Sequence, residues 1–196
     1  NDGRSIMKIG IILLAAGAGK RFGGNKLMAD VGGKPLYLNA MEKTDRLEKA
    51  AFKVVVTGSP VIAEAGRRRG FLVVENCQPE MGISRSVALG TEAAQKAAPD
   101  GLLFMVCDQP WLREATLKSM LEGYNGGILA LKCREQAGNP VIFPREYFEE
   151  LKALSGDRGG RRVMQRHKDR VQFLEIDDPK ELQDIDFKED LKKDKR

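Results

Sequence analysis

The 196-residue chain has one histidine, His167, and three cysteines, Cys77, Cys107 and Cys133, with no C-x-x-C pair among them. Zinc ribbons, disulfide frameworks and imidazole-based metal sites therefore lack ligands, and a Ser-His-Asp triad would have only His167 to use. Aromatic residues are scarce at 6% and are not interleaved with basic ones. Charge of one sign is also scarce: 33 basic against 28 acidic residues leave a net +5. That balance suits an anionic small molecule and carries no nucleic-acid footprint. No run of about 18 apolar residues occurs, so no membrane-spanning helix is expected. No secretory signal is visible, which makes the cytoplasm the expected compartment. The mostly polar residues 1–6 ahead of Met7 read as an expression scar outside the fold.

What is present describes one globular domain. Hydrophobic residues make up 42% and charged residues 31%, enough for one well-buried core at this length. No repeat, low-complexity linker or composition break divides the chain, so a single domain over residues 7–190 is expected, with 191–196 as a frayed tail. Apolar runs at 11–16, 52–57, 71–75 and 102–107 read as strands, and helical spacing falls between them at 35–47, 61–69 and 87–98. Ser84 or Ser86 is a candidate cap for the last of these helices. This alternation predicts an α/β fold with a parallel sheet and helices on both faces. Beyond it, a helix is expected over 114–123, strands over 128–133 and 139–143, a helix over 145–154, a short helix over 161–166 and a strand over 171–176.

The richest stretch follows the first strand. Residues 17–26 hold four glycines (Gly17, Gly19, Gly23, Gly24) and three cations (Lys20, Arg21, Lys26). Glycines let the backbone turn tightly and approach a ligand. Crowded cations ask for an anion, so the loop reads as a phosphate site at the carboxyl end of a sheet. It is not a dinucleotide fingerprint: Phe22 stands where G-x-G-x-x-G requires its third glycine, and the second strand ends in Thr57-Gly58 instead of an acid. The Walker pattern fails too. Arg21 has the fork for phosphate oxygens, and Lys26 the point charge.

Asp108 ends the most apolar later strand and faces the same crevice in a parallel sheet. It either supplies a carboxylate to Mg²⁺ or caps the turn before Pro110. A phosphate loop, a carboxylate opposite and no general base suggest nucleotidyl transfer. A phosphate acceptor is already ionised near neutral pH, its second pKa being about 6, so it needs no base.

The segments L-A-A-G-A-G-K-R-F-G-G-N-K (14–26), G-K-P-L (33–36), E-M-G-I-S-R-S-V (80–87), C-D-Q-P-W-L (107–112), G-N-P-V-I-F (138–143), L-S-G-D-R-G-G-R (154–161) and D-I-D (184–186) run in order through nearly the whole chain. Together they resemble the molybdenum-cofactor (MobA-like) nucleotidyltransferases, and most closely the CTP:molybdopterin cytidylyltransferase branch. The resemblance implies a Rossmann-like three-layer sandwich of the nucleotide-diphospho-sugar transferase type, with a mostly parallel sheet. It implies transfer of CMP from Mg-CTP (Mn²⁺ as the alternative ion) to the terminal phosphate of molybdopterin or molybdenum cofactor, with a molybdenum hydroxylase as a candidate recipient. By motif position, Ala15, Ala16, Gly17, Ala18, Gly19, Lys20, Ser84 and Ser86 would bind the nucleotide. Arg21, Lys26 and Asp108 would be catalytic, and Asp108 with Asp186 would hold the metal. Asn139, Asp157, Gly159, Gly160 and Arg161 would bind the acceptor, although a solvated basic loop fits 157–161 equally well. After D-I-D the chain reads Phe187-Lys188-Glu189-Asp190, where the family usually has Thr-Pro-Glu-Asp. Rival readings keep the fold but use GTP or a sugar-phosphate acceptor, or make the protein a non-catalytic cofactor chaperone.

Overall fold

The computed structural model describes residues 6–17, 19 and 21–195, so residues 1–5 of the expected scar, and Ala18 and Lys20 of the loop, lie outside the described residues. Nine strands and six α-helices are described: β1 (Ile9–Ala15), β2 (Asp30–Val31), β3 (Lys34–Pro35), α1 (Leu36–Glu42), β4 (Ala50–Thr57), α2 (Pro60–Arg68), β5 (Leu72–Glu75), α3 (Ile83–Gln95), β6 (Gly101–Val106), α4 (Glu114–Gly123), β7 (Ile128–Cys133), β8 (Gln136–Pro144), α5 (Phe148–Lys152), α6 (Arg161–Arg166) and β9 (Val171–Glu175). Seven strands form one sheet in the order β5-β4-β1-β6-β8-β7-β9, and β2 and β3 form a separate small hairpin.

The sheet is mostly parallel, as expected. β1 runs parallel to β4 and β6, β4 to β5, and β7 to β9. β8 alone is reversed, pairing antiparallel with both β6 and β7. Alternation along β1 feeds two cores. Ile9, Ile11 and Leu13 join residues of α1, α2 and α4 on one face. Ile12 joins residues of α3, α5 and α6 on the other. That is the three-layer α/β/α arrangement, with β1 buried on both faces. From β1 the chain first winds outward to β4 and β5. It then crosses by α3 to β6 on the other side of β1. The winding reverses between β1 and β6, where a parallel sheet opens a crevice at its carboxyl ends.

Boundaries shift where local chemistry overrides periodicity. The α1 pattern was expected to run to Leu47, but the helix stops at Glu42 and turns follow. Neither Ser84 nor Ser86 caps α3. The helix starts earlier, at Ile83, behind Gly82, whose φ of 86° no side chain adopts readily, so both serines lie in its first turn and are buried. The expected 145–154 helix is a 3-10 turn followed by the short α5. Residues Lys188–Lys195 form 3-10 turns, with Leu191 packed on a third small core of Phe22, Val31, Leu36 and Ile185.

α3 lies so close to β1 and β4 that a Cβ on Gly90 would sit 2.8 Å from Ile12 Cγ2 and 3.0 Å from Val56 Cγ2. Both neighbours are stiff β-branched side chains. Gly90→Val is expected to destabilise the protein by about 1–3 kcal/mol through overpacking, read as a lower urea midpoint at unchanged slope.

Candidate active site

The loop after β1 is shaped by its own turn. Phe22 N–H donates to the Gly19 carbonyl at 2.9 Å, and the Phe22 ring is buried in the third core. The residue that breaks the dinucleotide spacing is therefore the loop's hydrophobic anchor. Gly19 has a φ of 55°, and a Cβ there would lie 2.8 Å from the Gly24 carbonyl oxygen. Gly17 is different: a Cβ on it would meet no protein atom within 4 Å. Gly17 borders a cavity of about 250 Å³ together with Gly19, Lys26, Gly82, Asp108 and Asp157, among others. A second, more open groove begins on the other side of Gly17 and reaches Gly58, Asn76 and Cys77.

The ends of β1 and β6 meet through charge. Lys26 Nζ donates to Asp108 Oδ2 at 2.8 Å, with both side chains largely buried. Asp186 approaches the same ammonium at 4.0 Å and lies 4.0 Å from Arg21 Nη1. The structure thus brings Arg21, Lys26, Asp108 and Asp186 together. Asp186 is held by backbone ties. Ile185, fully buried, donates its N–H to the Asp108 carbonyl at 2.8 Å. Asp190 Oδ2 accepts from the N–H groups of Asp186 and Phe187 at 3.0 and 2.9 Å. The departure from Thr-Pro-Glu-Asp therefore leaves the turn closed, because Asp190 remains to close it.

The acidic side of this cluster is crowded. Asp184 reaches solvent as a residue, yet enough protein surrounds its carboxyl that desolvation raises its pKa to about 6. The charges of Asp108 and Asp186 add to the rise and Lys26 opposes it. Carboxylate oxygens are hard donors, and one or two of them beside substrate phosphate oxygens fit Mg²⁺ or Mn²⁺. No group of three or more metal-ligating side chains occurs among the described residues. The arrangement suits an ion shared with a phosphate, not one caged by protein alone.

Cys107 adjoins Asp108 but is buried, and that burial pushes its thiol pKa up, so it offers no nucleophile. His167 lies elsewhere, with Nε2 2.7 Å from Glu150 Oε2 and its ring against Tyr147. No imidazole serves the cavity.

The remaining expected residues divide. Ala16 borders the cavity, while Ala15 borders the second groove. Ser86 borders the cavity and accepts a bond from Asn76 Nδ2 at 2.9 Å. Ser84 is buried and donates its N–H to the Gly156 carbonyl at 3.2 Å, tying α3 to the 155–160 loop. Asp157 borders the cavity from that loop. Gly159 and Gly160 have a packing reason: Cβ atoms there would lie 3.2 Å from Ile83 Cγ2 and 2.8 Å from the Phe143 ring. Arg161 is exposed at the start of α6. Asn139, also exposed, lies beyond the Phe104–Val141 pair and so comes level with the end of β6.

Sequence reasoning missed four residues that shape the site. Asp184 was visible in D-I-D but had no role assigned. Asp190 was hidden by the altered segment. Glu181, buried, accepts from Arg113 N–H at 3.1 Å and from Thr116 Oγ1 at 2.5 Å. Lys43 donates to the carbonyls of Gln109 and Pro110 at 3.1 and 2.8 Å, and burial lowers its pKa to about 8, offset in part by Cys107 and Glu181. Neither Glu181 nor Lys43 carries a motif.

Comparison with known proteins now bears on this geometry. Residues 11–171 match the model of the MobA-like NTP transferase domain. The chain belongs to that family. It is 29% identical over 200 residues to the purine catabolism protein PucB of Bacillus subtilis, covering 95% of each chain. It is 26% identical over 186 residues to a probable molybdenum cofactor guanylyltransferase of Aquifex aeolicus, covering 92% of this chain and 87% of that one. Among solved structures, Rv0371c of Mycobacterium tuberculosis superposes with a TM-score of 0.80 at 22% identity, covering 96% and 98% of the two chains. A manganese complex of the same protein superposes at 0.68 with 21% identity, covering 88% and 89%. The family and the α/β nucleotidyltransferase fold are thereby shown. The narrower cytidylyl branch is not, since a guanylyltransferase is among the relatives.

The Gly82 contact gives a direct test of how the two loops are joined. A Cβ on Gly82 would overlap Asp157 Oδ1 and lie 2.6 Å from the Gly156 carbonyl oxygen, at a backbone angle suited to glycine. Gly82→Ala is expected to cost about 1–3 kcal/mol and to loosen residues 155–160, seen as lower stability in urea and faster proteolysis within that loop.

Proposed function

We propose that the protein transfers CMP from Mg-CTP to the terminal phosphate of molybdopterin or molybdenum cofactor, releasing pyrophosphate. The observation that carries this reading is the convergence of Lys26, Asp108 and Asp186 at the β1–β6 crevice, beside a glycine loop open at Gly17. In this reading the backbone around Gly17 and Gly19 faces the triphosphate, and Arg21 holds the leaving pyrophosphate. Lys26 stabilises charge gathering on the α-phosphate as an acceptor oxygen forms its bond to phosphorus and the α–β bridging bond breaks. Asp108 and Asp186 would hold the metal, which when bound would neutralise phosphate charge. The acceptor phosphate arrives ionised, in keeping with a site that has neither histidine nor reactive thiol. Asn139, Asp157 and Arg161 sit on the β8 and 155–161 side, assigned to the acceptor.

Cytidine is favoured by resemblance: A-A-G at 15–17, G-N-P-V-I-F and S-G-D-R-G-G-R are similar to the segments of the cytidylyl branch. GTP is the second reading, favoured by the guanylyltransferase relative.

The test mixes protein, Mg²⁺ and molybdenum cofactor with each NTP separately and measures pyrophosphate. Selective release from CTP is expected; selective release from GTP moves the protein to the guanylyl reading, and release from none defeats the transfer reading. Lys26→Ala and Asp108→Ala, each shown to be folded, are expected to lower turnover by about tenfold or more, which is about 1.4 kcal/mol of barrier. Asp186→Asn is expected to raise the Mg²⁺ concentration needed for half-maximal rate, and an unchanged Mg²⁺ dependence would take Asp186 out of the metal site.

A further inference from the structure

Lys43 is the C-cap of α1, and its side chain runs inward from there. Its ammonium is partly buried and is held by two backbone carbonyls, Gln109 at 3.1 Å and Pro110 at 2.8 Å, the two residues directly after Asp108. Burying a charge costs free energy unless bonds replace its water. Here the replacement is aimed entirely at one turn. The Gln109 carbonyl also closes that turn by accepting from Leu112 N–H at 3.3 Å, while the buried Gln109 side chain reaches the Leu182 carbonyl at 3.5 Å. Lys43 thus grips the point where the β6 end is joined to the segment leading to Asp186. The other end of α1 serves the same assembly, because Leu36 packs with Ile185, one residue from Asp186.

We propose that Lys43 is a positioning residue for the metal: its two bonds fix the turn after β6 so that Asp108 and Asp186 face one ion at the right spacing. The proposal rests on the metal-assisted reading above. Lys43 acts through the backbone of residues 109–110, and its ammonium contacts neither carboxylate in the ion pairs described.

The experiment measures Mn²⁺ binding directly, by electron paramagnetic resonance of free Mn²⁺ during titration, with thermal melting run on the same samples. Lys43→Met keeps the apolar stem and removes the donors. It is expected to weaken Mn²⁺ binding by about 10-fold or more, the size found for partners that orient metal ligands. Lys43→Arg, which retains donors, is expected to remain closer to the native protein than Lys43→Met. Lys118→Met, on the exposed face of α4, is expected to change nothing. A purely structural role would lower the melting temperature and leave the Mn²⁺ affinity of the folded protein alone, and that result overturns the proposal. If Lys43→Met does not fold, Lys43→Gln, which keeps a shorter donor, is read in the same way. Native protein that binds no Mn²⁺, either alone or with CTP present against a CTP-only blank, defeats the metal-assisted reading and Lys43's role with it. Native binding with unchanged binding in the variant defeats only the role of Lys43.

Discussion

Strand β1 has no free edge and no free face. β4 and β6 flank it, and the two cores cover it above and below. Each fully buried Ile or Leu contributes about 1.5–3 kcal/mol, so a strand built as I-G-I-I-L-L-A has one stable place, the middle of the sheet. Only its carboxyl end can reach a ligand. The glycine loop, the reversal of winding between β1 and β6, and the position of Asp108 opposite all follow from that burial.

At that end, charge and backbone have separate tasks. Lys26 is the only described cation in direct contact with Asp108, and it also lies near Asp186. The carboxylates themselves are kept close, against their mutual repulsion, by backbone ties and packing: the bond from Ile185 to the Asp108 carbonyl, the turn closed by the Asp190 carboxylate and the buried Ile185 side chain. Such a site keeps its negative character in reserve for a cation. Like-charge crowding that would be costly in a purely structural ion pair is useful where a metal and a polyphosphate must enter together.

The buried centre of this fold was legible from sequence because periodicity and burial agree there. β1, β4, β6, β7, α4 and α6 fall where apolar spacing puts them, and α4, β7 and α6 have the expected ends. The reversal of β8 was not legible. Its hairpin turns through Arg134-Glu135, with Arg134 at a φ of 55°, and no Gly or Asn announces it. The start of α3 was misread because a serine looks like a cap, while Gly82 had a stronger reason to be there. At the crevice, Lys26 and Asp108 carry chemical signatures and were expected to meet, and the structure brings them into contact. The residues that hold backbone were not assigned roles: Lys43 donates to distant carbonyls and Glu181 accepts from a distant N–H, neither of which leaves a local pattern, while Asp190 lies in a segment that departs from the expected one.

Lys26, Asp108 and Asp186 meet at the crevice, and no two of them share a strand, helix or loop. Long loops must close before these groups meet, and that closing cost is recovered only by the packed domain as a whole. Metal and phosphate would consequently sense the integrity of the entire sheet. A fragment ending before β9 would keep the glycine loop yet lack Asp186, and an opening at either edge of the segment from Glu181 to Asp190 would draw Asp186 away from the crevice first. On the proposed reading, bound metal and nucleotide would clasp together segments far apart in the chain, and resistance to unfolding would rise with their concentration.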